Sequence, residues 1–142
     1  MNKVFLHSAD RPVNLESRRE VKQLIRSLFH EEDYKLECIN YIFCSDEYLL
    51  PVNIKFLKHS TLTDVITFTF SNPGEPVYGE VYLSVDRIKE NAKSFHNSYQ
   101  NELLRVMIHG ALHLCGYTDK TNEAQKQMRK REDHYLKKIS FT

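Results

Sequence analysis

The chain has 142 residues, of which 41% are hydrophobic and 27% charged, and its formal net charge is +1. That length suits one compact domain spanning 1–142, and the near-zero charge excludes a general nucleic-acid scavenger or a membrane-coating protein, so a polyanionic partner must be held by a local patch. Cys38, Cys44 and Cys115 follow no disulfide or metal-knuckle spacing, and no apolar run reaches the length of a signal peptide or membrane span, so a soluble, cytoplasmic protein is expected.

In chain order, "KVFLH" (3–7) predicts a short strand. "NLESRREVKQLIRSLFHEED" sets Leu15, Val21, Leu24, Ile25 and Leu28 at helical spacing and predicts an amphipathic helix. "YKLECINYIFCS", rich in β-branched and aromatic residues, predicts a strand near 35–44. Ser45, before Asp46 and Glu47, is a helix-start signal, and Pro51 should kink or restart that helix. "DVITFTF" (64–70) and "GEVYLSV" (79–85) predict two strands paired through the loop "SNPGEPVY". Three helices should follow, from Asp86 to about His96, Ser98 to about Cys115, and Thr121 to about Ile139, with Ser98 and Thr121 as caps. This order implies an α/β (α+β) fold with a central mixed sheet of about four strands flanked by helices.

The stretch "IHGALHLCGYTD" carries the chemistry. Residues four apart share a helix face, so His109 and His113 can present both imidazoles to one ion. Gly116 can end the helix in a left-handed turn, and the reversal can carry Asp119 to the same ion. Three such ligands leave a position open, as in catalytic rather than structural sites. On spacing alone the same residues also read as an ordinary capped end of a buried helix with two locally satisfied imidazoles. Cys115 points away by helical phase and reads as core. Peptidases of the H-E-x-x-H type use the Glu beside the first histidine as base; Gly110 stands there, which disfavours peptide hydrolysis.

His109, Gly110, Leu112, His113, Leu114, Gly116 and Tyr117 resemble the H-G-x-L-H-L-x-G-Y-x-H signature of the YbeY family, metal-dependent endoribonucleases of ribosomal RNA maturation. "LTDVITF" (Leu62 to Phe68) is similar to the family's T-D-V-L-S-F strand and "GEVYLS" (Gly79 to Ser84) to its G-D-I-x-I-S strand, while Asn53 and Phe56 resemble the segment just upstream. The resemblance implies one zinc ion at the end of the motif helix, so that His109, His113 and Asp119 become its expected ligands. It also implies cleavage of single-stranded RNA, 16S rRNA 3′-end maturation, and a role in ribosome assembly and quality control. The implied partners are ribosomal RNA and the small subunit or its assembly factors, with no membrane and no DNA.

Two positions depart from the family pattern. Asp119 replaces the usual third histidine; a carboxylate lowers the net positive charge at the ion, so a weaker pull on phosphate and a higher pH optimum are expected. Leu57 replaces an arginine, so phosphate-facing charge must come from elsewhere. Lys55, Lys58 and His59 are the nearest candidates for catalytic groups, each with an alternative reading as solvated surface. His59 ranks first because imidazole can donate to phosphate or shuttle a proton. Asp64 reads either as orienting the site or as ending a turn, Glu102 as a solvent-side or helix-dipole contact, and Tyr117 as core. The basic residues of the last helix, diluted by Glu123, Glu132 and Asp133, read as a charged helix face. Two rival functions remain: a minimal zinc metallopeptidase, and a non-catalytic ribosome-binding module with a structural metal.

Overall fold

The computed structural model describes residues 1–57 and 62–139. Its elements are β1 (Lys3–Ser8), α1 (Arg18–Glu31), β2 (Leu36–Cys44), α2 (Asp46–Val52), β3 (Val65–Thr69), β4 (Val77–Ser84), α3 (Val85–Ser94), α4 (Tyr99–Leu114) and α5 (Asn122–Leu136). The sheet order is β1-β2-β4-β3. β1, β2 and β4 are parallel, and β3 is an antiparallel edge strand on β4. The mixed four-stranded sheet expected from the sequence is therefore present.

Strand alternation sorts the two faces. Val4, Ile39, Tyr41, Val81 and Leu83 lie in the main core with α1, α3, α4 and α5. On the other face, Cys44 and Ile66 form a smaller cluster with Leu49 of α2, edged by Val52, Phe68 and Tyr82. The expected caps are in place: Ser45, Ser98 and Thr121 each accept a backbone N–H, from Tyr48 (3.0 Å), Asn101 (3.1 Å) and Ala124 (3.0 Å). Pro51, with no N–H to donate, sits inside α2, and the helix widens into a π-helical turn over Asn53–Leu57.

The helix that positions the site is α4. It buries Leu103, Leu104, Val106, Met107, Ile108, Ala111 and Leu112, and the Tyr41 hydroxyl donates to the Met107 carbonyl at 2.8 Å, tying it to the sheet centre. Two glycines set how close it lies. A Cβ on Gly110 would stand 2.6 Å from Val81 Cγ1, and one on Gly79 2.8 Å from a Leu114 methyl. This close approach places His109 and His113 beside β3. The helix then ends in a Schellman motif: Gly116, at φ +92°, donates to His113 O (3.0 Å), and Tyr117 N donates to Leu112 O (3.1 Å). No helix among the described residues is long and apolar enough to cross a membrane.

Candidate metal centre

The reversal at Gly116 brings three side chains to one point. His109 Nε2 and His113 Nε2 are 3.0 Å apart, and Asp119 Oδ2 lies 3.3 Å from the first and 3.4 Å from the second. The other ring nitrogens fix the protonation. His113 Nδ1 is 2.9 Å from the Tyr117 carbonyl and His109 Nδ1 is 2.7 Å from Glu132 Oε2. A carbonyl and a carboxylate only accept, so in the neutral rings both Nδ1 atoms carry the proton. Both Nε2 atoms then present lone pairs to each other and to a carboxylate oxygen.

Three acceptors this close repel one another unless a cation or a proton sits among them. Zinc bonds of about 2.0–2.1 Å at tetrahedral angles would separate donors by about 3.3–3.4 Å, close to the spacings seen. Among the described residues these three are the group of His, Cys and carboxylate ligands that could hold a metal ion. The donor set therefore fits a divalent ion of the zinc type.

The surroundings support the same geometry. Glu132 on α5 is only 5% exposed. One of its oxygens accepts from His109; the other accepts from Arg105 at 2.8 Å, and Arg105 also donates to Asp133 at 2.7 Å. Burial works against an imidazolium at His109, but the hydrogen bond and charge of Glu132, with the charges of Asp119 and Asp64, outweigh it and raise its pKa. A proton there takes the place a metal would hold. Tyr117, packed against the core as expected, donates its hydroxyl to Glu32 at 2.8 Å while its carbonyl orients His113.

The centre opens into a cleft of about 840 Å³, walled by Thr67 and Thr69 of β3 and reaching Asp64, Phe95, Glu102 and Arg129. Burial pushes the carboxyls of both Asp64 and Glu102 upward; Asn91 also donates to Asp64 at 3.4 Å. Glu102 was expected on the solvent side or as a helix-dipole contact. It is instead 5% exposed and lines the cleft, with Asn97 of the turn between α3 and α4 hydrogen-bonded to its carboxyl.

Of the basic residues suggested by sequence, Lys55 is exposed on the π turn with its ammonium 5.4 Å from the Phe56 ring centroid, and it does not line this cleft. Lys58 and His59 lie outside the described residues. Among the described residues, the Lys and Arg side chains that line the cleft are Arg105, Lys120 and Arg129. Sequence reasoning also missed Glu132, although Met128, Glu132 and Tyr135, the buried residues of α5, follow one another at helical i, i+4, i+7 spacing. That spacing was the available signal.

Comparison with known proteins agrees with this geometry. The family model described as endoribonuclease YbeY matches residues 5–140. The endoribonuclease YbeY of Cytophaga hutchinsonii is 41% identical over 138 residues, covering 97% of this chain and 96% of its own. That of Flavobacterium psychrophilum is 44% identical over 127 residues, covering 88% and 90%. A Thermotoga maritima protein solved in solution superposes with a TM-score of 0.67 at 27% identity, over 94% of this chain and 87% of its own. With its signature histidines converging beside the returning aspartate, this chain belongs to the YbeY family of endoribonucleases.

Proposed function

We propose that the chain is a zinc-dependent, single-strand-specific endoribonuclease that matures the 3′ end of 16S rRNA during small-subunit assembly, acting in the cytoplasm with ribosomal RNA and the small subunit or its assembly factors as partners. The observation that carries the metal-dependent part is the convergence of the two Nε2 atoms and one carboxylate oxygen within 3.4 Å of one another. Bound there, zinc supplies a Lewis acid for a phosphoryl oxygen and makes water more acidic.

The chain's own residues do the rest. His109, His113 and Asp119 hold the ion, while Glu132 and the Tyr117 carbonyl fix the two rings so that no reorientation is needed on binding. The cleft walls admit an unpaired backbone, and the cations near its mouth offset phosphate charge. Gly110, where an H-E-x-x-H peptidase has its base, speaks against the peptidase alternative.

The test is metal analysis of the purified chain together with cleavage of single-stranded and duplex RNA and of casein, with His113→Ala alongside. About one zinc per chain, cutting of single-stranded RNA alone, and loss of both in the variant are expected. A chain that cuts nothing, whether or not it carries the metal, returns the ribosome-binding alternative. A His113→Ala protein that still cuts assigns the activity to a contaminant. Sequencing the cut small-subunit RNA places the site, and a 2′,3′-cyclic end identifies the ribose hydroxyl as nucleophile.

A further inference from the structure

We propose that the cleft carries a subsite for one unpaired nucleotide next to the scissile phosphate, with Phe95 stacking its base and Arg129 meeting its phosphate. This rests on the endoribonuclease reading above and names how that site holds its strand.

Phe95 follows the last turn of α3 and is 62% exposed. Its backbone N–H donates to Asn91 O at 2.9 Å, so the ring is carried on a capped helix end. Phe56 and Phe70, similarly exposed, stand edge-on to Phe68 and Tyr78. Phe95 meets no ring among the described residues, yet it lines the same cleft as His109. An unpartnered aromatic beside a phosphodiester-cleaving centre is what a splayed-out base stacks on.

The charges tell base from backbone. Asp64 and Glu102, both turned into the cleft, are poor neighbours for a phosphodiester and good hydrogen-bond partners for base edges. Arg105 is neutralised by Glu132 at 2.8 Å and Asp133 at 2.7 Å. Arg129 is different: its side chain is 61% exposed, and its nearest acid is Glu132 Oε1 at 3.9 Å, an oxygen already taken by Arg105. Its guanidinium is therefore available to a phosphate and, with Lys120 on the same rim, supplies cationic charge that Leu57 cannot. A volume of about 840 Å³ lies near the top of the range for small-ligand sites, about 300–1,000 Å³, and leaves room beyond the scissile phosphate.

The experiment uses the zinc-loaded chain and a set of single-stranded oligoribonucleotides, each with one abasic nucleotide at a different position. Loss of one stacked base should raise KM about 5- to 150-fold in Phe95→Ala, with kcat changed by about two-fold or less. Phe95→Tyr should retain the parent's KM. One abasic position should cost the parent a similar factor and cost Phe95→Ala nothing further. Arg129→Gln should lower the slope of log KM against log salt by about 0.7 and leave the abasic penalty intact. Phe95→Ala cutting like the parent, or an abasic penalty that persists undiminished in it, overturns the subsite while leaving the endoribonuclease reading in place. A parent that cuts no single-stranded RNA removes both.

Discussion

Glu132→Gln separates a positioning role from a structural one. In the parent, one carboxylate accepts two charge-assisted hydrogen bonds, from His109 at 2.7 Å and Arg105 at 2.8 Å, inside a side chain 7% exposed. An amide of the same shape has one acceptor and one donor end, so it can satisfy either partner while turning an N–H toward the other. A buried donor left facing a donor costs about 1–3 kcal/mol, which for a chain of this length lowers Tm by roughly 4–10 °C in the metal-free protein. His109 simultaneously loses the carboxylate that sets its orientation and basicity, and removal of such a partner weakens metal binding by about 10- to 100-fold. Scanning calorimetry of the metal-free chain gives the first quantity; competition for zinc against a chromophoric chelator gives the second. A lowered Tm with zinc affinity within about two-fold of the parent would refute the positioning role and leave Glu132 as a packing residue.

Asp119→His replaces a carboxylate by a neutral donor and makes the centre more positive, so the pH–rate profile should move to lower pH; an unchanged or upward-shifted profile contradicts this. Gly110→Ala places a methyl 2.6 Å from the β-branched Val81, which should cost about 1–3 kcal/mol by urea unfolding and reduce zinc affinity by displacing α4, whereas a neutral effect would mean α4 can shift freely. Glu31, drawn down to about 2 chiefly by the Lys138 hydrogen bond and then, against the opposing effect of burial, by His134 and Arg131, binds α1 to α5. A depressed carboxylate pKa gives stability that is full above the unfolded value of 4.5 and is lost as pH falls toward 2. Glu31→Gln should therefore flatten the urea midpoint between pH 5 and about 2.5, and an identical acid profile would show the pairing contributes nothing.

Much of this was legible before any coordinates. Ser45, Ser98 and Thr121 announce helix starts through chemistry confined to a few residues, and each caps as expected. The His109–His113–Gly116 spacing likewise encodes its geometry locally, because a helix and its αL terminator fix where both imidazoles and the returning chain go. The partners contributed from far along the chain were not legible. Glu132 sits among Lys130, Arg131 and Asp133, and only the docking of α5 on α4 turns it inward. Glu102 looked like a helix-start acid because sequence shows its place in α4 but not that it is buried along the cleft wall. Lys55 is close to Leu57 in sequence but not at the cleft, whose cations among the described residues come from α4, α5 and the turn between them.

All three donor side chains, and the carbonyl that steers one of them, fall within residues 109–119. Chelation by so short a contiguous segment closes only a small loop, so little chain entropy is lost in assembling it. The identity of the third donor can then be exchanged between imidazole and carboxylate without rebuilding the scaffold, which makes the electrophile's strength an adjustable property of one position in an otherwise fixed clasp.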